Sequence, residues 1–423
     1  MKSLKAFGEV VELVSNELNS EEFKEDGRMH EEDFTRNRKM NFSQSVLLIL
    51  SGTKKSLQAS VNAFLKESKM QKETYTKQAF SKRRQCIKPQ AFQKLFYLIT
   101  ETYYKNYEYK KYRGYRITAI DGTKYNLPNT QELLETYGSE RFPNNAIQVQ
   151  AQGSCLYDVL NGLLLDVQIH PYNTNEREIA KMHIDNLHMY EPEKELLLLD
   201  RGYPSAKLIE YINTNGYNYL MRCSSQFMNA IKVTNGDEIV IHKFSKRKIT
   251  AEMRVITFTL ENGCKEQLIT NIFDKSFTTQ DFKNIYHLRW GIEGKFDDIK
   301  NKLQIESFSG TTNIAILQDF YATMFLSNMA AIIALDCEDD IEKRYNTKEL
   351  KYRYKLNISM TISTLKSNFI EMMLTDSEFK RNKLYRYINN QLIRCVVPIK
   401  KYPSSPRTIK HPSLKFPQNR KNL

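Results

Sequence analysis

Cysteine is scarce in this 423-residue chain, tryptophan occurs once, and the last 45 residues contain no acid. The six cysteines, no two closer than 41 residues, make no CxxC or Cys/His spacing. That excludes a zinc knuckle and a disulfide framework and leaves reduced thiols. No long apolar run goes uninterrupted. The longest, IAILQDFYATMFLSNMAAIIAL (314–335), carries Gln318, Asp319 and Asn328 and reads as a buried helix, not a membrane span. The amino-terminal MKSLKAFGEVVELVSNELNSEE turns acidic too early for a secretory signal. Cytoplasmic residence, with no membrane partner, is the expectation.

Positive charge is what remains in excess. The net charge is +14, with 12 Lys/Arg and no acid between Phe379 and Leu423. Residues 66–116 add 14 Lys/Arg against 4 acids, so the rest of the chain sums to −8. Two basic regions around an acidic middle suit a polyanion held at both ends of the chain. No basic amphipathic helix with a Trp/Phe/Leu face favours a membrane instead.

Residues 1–40 are polar, mixed in charge, and read as a frayed lead-in. From Ser43 the pattern turns helical, with Thr76 and Pro89 as helix starts and Gly52 as a stop. Around TKQAFSKRRQ a helix-turn-helix-like unit would aim Lys77, Lys82, Arg83 and Arg84 at phosphates; a plain helical bundle is the alternative. YYKNYEYKKYRGYR (103–116) interleaves tyrosine with Lys and Arg, which suits base stacking or a linker packing its rings on a domain surface. Strand character begins at RITAIDGTKY and returns in AIQVQAQGSCLYDVL and GLLLDVQIH, with Asn161-Gly162 as the hairpin turn. A helix over 176–190, the all-apolar LLLL before Asp200, a second helix and the strand YNYLMRC complete three strands, helix, strand, helix, strand. Residues 225–274 then hold short β-prone pieces, an inserted antiparallel sheet. The expected segments are 1–105, helical; 106–224, core; 225–274, insertion; 275–335, second part of the core; and 336–423, basic.

Three acids stand where chemistry gathers. Asp121 closes RITAI, Asp200 closes LLLL, and ligands collect beyond the carboxyl ends of such strands. Each aspartate alone is equally a turn former. Glu293 lies in YHLRWGIEGKFDDIK (286–300). At about 100° per residue, Tyr286, Arg289, Glu293 and Lys300 share a stripe about 60° wide on one continuous helix. Asp297 is the rival third acid, and intrahelical salt bridging is the bland explanation of the stripe. Carboxylates brought within about 4–6 Å need a cation, and hard oxygen donors select Mg²⁺ or Mn²⁺. Two such ions would activate a water or 3′-hydroxyl and stabilise the leaving oxygen of a phosphodiester. Tyr286, Arg289 and Lys300 would then hold backbone phosphates.

Tyr286-x2-Arg289-x3-Glu293-x6-Lys300, with Asp121 in IDGT and Asp200 in LDRGY, resembles bacterial insertion-sequence DDE transposases of the family-four, hairpin-forming group. The resemblance covers about residues 115–310. It implies an α/β fold, a ribonuclease-H-like catalytic core with an inserted antiparallel β subdomain, flanked by helical N- and C-terminal domains. It also implies two Mg²⁺ ions on Asp121, Asp200 and Glu293, and cut-and-paste transposition through a hairpin intermediate. The partners implied are double-stranded DNA (terminal inverted repeats and target) and a second copy in a homodimer, with the protein on the nucleoid when bound and no small-molecule substrate. Relatives steady a flipped base with a tryptophan in the insertion. Here the only tryptophan is Trp290, so Phe227, Phe244 or Phe258 would have to stack instead. His170 and Glu176-Arg177 are assigned support, and Thr123 the shaping of the metal loop. The other readings are a structure-specific nuclease that does not join strands and a DNA-binding repressor descended from a transposase.

Overall fold

The computed structural model describes residues 5–36, 39–52, 54, 56–70, 74–141, 147–191, 193–224, 226–244, 249–260, 263–347 and 349–399. The prolines at 403, 406, 412 and 417 and the basic residues among them lie outside the described residues. By packing, the chain divides into two compact units. One comprises 1–107, 125–151 and 297–423, the other 108–124 and 152–296.

Four leucines in a row, Leu196 to Leu199, are fully buried. Only a strand covered on both faces tolerates such a run. They lie in a nine-stranded sheet built from β1 (Arg116–Asn126), β2 (Ser139–Arg141), β3 (Ile147–Asp158), β4 (Leu163–Pro171), β5 (Glu195–Leu199), β6 (Asn218–Cys223), β7 (Asp237–Phe244), β8 (Ile249–Thr259) and β9 (Lys265–Thr270). The order is β2-β3-β1-β5-β6-β9-β8-β7, with β4 paired to β3. β1, β5 and β6 are parallel, with Ile120 opposite Leu199 and Leu199 opposite Met221. The helix Ala206–Thr214 makes the crossover that parallel neighbours require. β3 and β4 join through a turn at Gly162, whose φ of 73° a residue with a Cβ would resist. The spatial sequence β4-β3-β1-β5-β6 is the ribonuclease-H-like order. The strands of segment 225–274 are antiparallel, as their pattern requires, but they form no sheet apart. β9 pairs with β6, so the insertion prolongs the central sheet.

The other unit is mainly helical. Pro89 opens the helix Pro89–Asn106, Thr76 caps Lys77–Arg84, and Gly52, at φ 56°, follows the end of Phe42–Leu50. The apolar segment is the helix Asn313–Asp336, long and apolar enough to cross a membrane but 89% buried over that window. Its polar interruptions are satisfied inside the protein. Gln318 donates to the carbonyls of Arg84 and Ile87 at 2.9 and 2.7 Å, Asp319 accepts from Ser309 and Arg84, and Asn328 donates to Thr100 at 2.8 Å. Residues 1–40 are not frayed throughout. The helix Lys5–Leu18 buries Phe7, Val10, Val11 and Val14, and the Asp336 carboxylate caps it through the amides of Ala6 and Phe7. The basic stretch from 379 is likewise not all tail. Helix Glu378–Leu392 buries Tyr385, Ile388 and Leu392, and Tyr385 meets Phe7 edge-on at 5.8 Å.

Candidate active site

The parallel register brings Asp121 and Asp200 together. Ile120 and Leu199 are the last paired residues of β1 and β5, and the two aspartates follow on neighbouring strands, which run about 4.8 Å apart. β1 itself runs on through Asp121 to Asn126 rather than closing there. The main chain at Asp121 is tightly fitted. Its Oδ1 accepts the Gly122 amide at 2.8 Å. A Cβ on Gly122 would press on Gln152 Nε2 and stand 3.1 Å from Glu176 Oε1, so a larger residue there must displace the ends of both side chains.

Glu293 joins the aspartates through a guanidinium. Arg289, only 3% exposed, reaches Asp121 Oδ2 with Nη1 at 3.3 Å and Glu293 Oε1 with Nη2 at 3.1 Å. Tyr286 donates its hydroxyl to Asp200 Oδ1 at 3.4 Å. Burial pushes the Asp121 carboxyl up to about 6. The charges of Asp200 and Glu293 push it the same way, against the Gly122 amide and Arg289. Burial works against charge on Arg289, but Tyr286, Asp200, Asp121 and Glu293 outweigh it, so the guanidinium is held charged. Among the described residues no three His, Cys, Asp or Glu side chains are drawn together as an ion cage. The hard carboxylate donors nevertheless suit a divalent cation, and Gln152 Oε1, an oxygen acceptor of the same unit, is buried with no hydrogen-bond partner.

Several expectations need correction. The signature is not one uniform helix: Thr279–Leu288 ends at Arg289, Trp290–Asp297 follows, and Asp298–Lys302 is a π-turn. The interruption does not separate Tyr286, Arg289 and Glu293 from the acids, but the wider turn takes Lys300 off the α-helical angle. Lys300 lies 5.5 Å over the Tyr125 ring, and Asp297 accepts from Asn301 at 2.6 Å. Tyr286 and Arg289 point inward to carboxylates, not outward as free phosphate ligands. Arg84 was expected at phosphates too, yet it is 1% exposed. Its guanidinium is consumed by Gln318, Ser309, Ala315 and Asp319. Arg83 lies 3.5 Å over the Phe34 ring, whereas Lys77 and Lys82 are exposed. In YYKNYEYKKYRGYR, Tyr109 and Tyr112 give their hydroxyls to Glu193 and Asp281 at 2.6 and 2.8 Å.

Supporting residues take the roles their positions allow. Arg177 donates twice to the Gly202 carbonyl, just past Asp200, and Glu176 accepts from Gln152 at 3.3 Å. His170 meets Gln168 at 2.8 Å, and Thr123 continues β1 past Gly122. Phe227 and Phe244 approach with centroids 6.0 Å apart, Phe258 lies under Lys283, and Trp290 is 48% exposed beside Arg289.

The sequence reading missed a buried relay behind Asp121. Asp166 faces His183 Nδ1 at 2.6 Å, His183 Nε2 faces Ser154 Oγ at 2.9 Å, and Ser154 Oγ meets the Asp121 carbonyl at 3.1 Å. Asp166 also accepts from Val167, Gln168 and Asn186. A signal existed: β3 carries polar residues at every second position, Gln148, Gln150, Gln152 and Ser154, and all are buried. Polar side chains lining a covered face of a strand need internal partners.

Residues 112–329 match the family model described as the transposase DDE domain. Over 237 residues the chain is 23% identical to "Transposase InsG for insertion sequence element IS4" of Escherichia coli (strain K12), covering 52% of each. The chain thus aligns with about half the length of that relative. A piggyBac transposase synaptic complex with hairpin DNA, solved by cryo-EM, overlays 95% of this chain and 86% of its own at 11% identity and a TM-score of 0.45. The chain belongs to the transposase DDE-domain family.

Proposed function

We propose that this protein is a DNA transposase that hydrolyses phosphodiesters at the ends of an insertion sequence and transfers the freed 3′ ends to target DNA. The observation that carries the reading is the adjacency of Asp121 and Asp200 where the parallel pairing of β1 with β5 ends, with Glu293 tied to Asp121 through Arg289. Asp121, Asp200 and Glu293 would hold two Mg²⁺ ions, or Mn²⁺ in their place. Bound there, the ions supply Lewis acidity and a deprotonated oxygen nucleophile. The chain's own contribution is positional. Tyr286 and Arg289 fix the rotamers of the acids, Gly122 lets the β1 main chain approach Gln152, and Ser154 secures the Asp121 carbonyl. Lys77 and Lys82, with the other residues of the N-terminal helices, would read the inverted repeats. Lys300 would meet a backbone phosphate, and two copies would pair two ends. A hairpin intermediate completes the reading, with an aromatic ring, Phe227, Phe244, Phe258 or Trp290, stacking on the displaced base.

The test uses a plasmid bearing the element's own ends, Mg²⁺, and a second plasmid as target. Wild type should nick, form hairpin ends and join them to the target. Asp121→Asn, Asp200→Asn and Glu293→Gln should bind ends but not nick. Cleavage without joined product would establish a nuclease instead, and cleavage by all three variants would remove the acids from the chemistry. A repressor reading is disfavoured because a binder has no use for acids such as Asp121 and Asp200 on neighbouring strands where phosphates would approach.

A further inference from the structure

β7 is the outermost strand of the sheet, and among the described residues it pairs with β8 alone. Its sequence is DEIVIHKF, with Ile239 49% exposed and Ile241 71% exposed. Long edge strands with bare apolar side chains are rare unless something covers them, because the free amides and carbonyls template another strand. Charge along β7 is distributed unevenly: Asp237 and Glu238 stand at one end, His242 and Lys243 at the other.

We infer that β7 is a self-complementary dimerisation strand that pairs antiparallel with β7 of a second copy across a two-fold axis at Val240. A two-fold perpendicular to a continuous sheet keeps each residue on its own face, so opposed residues must be an even number apart in the chain. Centring on Val240 satisfies this and sets Ile239 against Ile241, Glu238 against His242, and Asp237 against Lys243. Each opposed pair among residues 237–243 is then apolar with apolar or acid with base. Centring on Ile241 instead would face Ile239 with Lys243 and Val240 with His242, leaving the acids without basic partners. Asp237 already holds Arg254 through two contacts of 2.6 Å, so Glu238 and His242 make the more discriminating pair. Pairing of this kind hides Ile239 and Ile241, completes the backbone ladder, and joins two sheets into one. It does not depend on the proposed DNA chemistry. A single strand-to-strand seam buries less than the roughly 1,200 Å² of a standing interface, so the association is reversible and concentration-dependent.

The experiment uses the full chain without DNA, so that bridging by shared DNA does not contribute. In a Cys264→Ser background, Val240→Cys should form a covalent dimer on mild oxidation, because Cα atoms opposed in an antiparallel pair, about 4.5–5.5 Å apart, lie within disulfide reach. Glu238→Cys alone should not, and Glu238→Cys/His242→Cys should. Equal crosslinking by Val240→Cys and Glu238→Cys, or none by Val240→Cys at about 100 µM, would overturn the proposal. Sedimentation gives the second readout. Ile241→Lys, on an exposed position that leaves the fold intact by circular dichroism, should weaken self-association at least about tenfold. Glu238→Lys should do the same, and Glu238→Lys/His242→Glu should recover it. Self-association unchanged by all three variants would place the contact elsewhere.

Discussion

Ser154 gives its hydroxyl to the backbone carbonyl of Asp121 at 3.1 Å. A hydroxyl has one proton, so while Ser154 serves Asp121 it can only accept from His183 Nε2. His183 Nδ1 lies 2.6 Å from Asp166, whose carboxylate accepts from three further donors, Val167, Gln168 and Asn186. The constellation resembles a hydrolase triad, but all three side chains are buried, so its role is to hold a main-chain atom rather than attack a substrate. Ser154→Ala should cost about 1–3 kcal/mol of stability by stranding two buried polar atoms. It should also slow strand cleavage while DNA affinity stays within about twofold. Thermal melts and single-turnover cleavage check this. A melt lowered with cleavage unchanged would make the relay purely structural.

Arg289 contacts Asp121 and Glu293 with separate nitrogens, a span that a lysine ammonium does not reproduce. Arg289→Lys should therefore keep the local charge yet lose most cleavage. Arg289→Ala should lower stability by about 1–2 kcal/mol, below the cost of a fully buried pair because Glu293 is partly exposed. Full activity in Arg289→Lys would show that charge alone suffices.

Asp121 gives a pH dependence whose sign is fixed. Its carboxyl is raised to about 6 in the folded protein, against about 3.9 unfolded. The folded state therefore holds the proton more tightly. The stabilisation is complete below about pH 4 and is lost as pH rises through about 6, a swing of about 3 kcal/mol at most. Asp121→Asn should flatten the fall in melting temperature between about pH 4 and 7. Mg²⁺ should raise the wild-type melt at pH 8 more than that of the variant. Parallel melting curves for the two proteins, with and without Mg²⁺, would contradict this.

Strong local signals made much of this legible. The LLLL run marked the central strand, LDRGY marked its end, and Thr76, Pro89 and Gly52 marked helix limits that the structure keeps, whereas IDGT lies within β1 and ends no strand. The details that failed depend on partners distant in sequence. Nothing in TKQAFSKRRQ says that Arg84 will find Asp319, 235 residues away, while Lys82 stays in solvent. Periodicity at about 100° per residue cannot register the break at Arg289 or the π-turn after Asp297, because each shifts the phase by less than one turn. The edge position of β7 was equally hidden, since strand order depends on β9 choosing β6.

The contrast between Arg84 and its lysine neighbours separates fold from DNA binding. Arg84 and Asp319 form an ion pair at 3.0 Å in which both side chains are nearly inaccessible. Arg84→Ala leaves that carboxylate buried without its cation and should cost about 3–5 kcal/mol. The variant, where it folds, should show an unaltered salt dependence of DNA binding. Lys77→Ala/Lys82→Ala removes two exposed charges from the same helix and should leave the melt unchanged. If both lysines meet phosphates, the slope of log affinity against log salt should fall by about 2, near 0.9 per contact. Measuring both variants across a salt series decides the matter. An undiminished slope in the lysine pair would move the DNA-reading surface off this helix, and a reduced slope in a folded Arg84→Ala would mean that the buried pair opens to DNA.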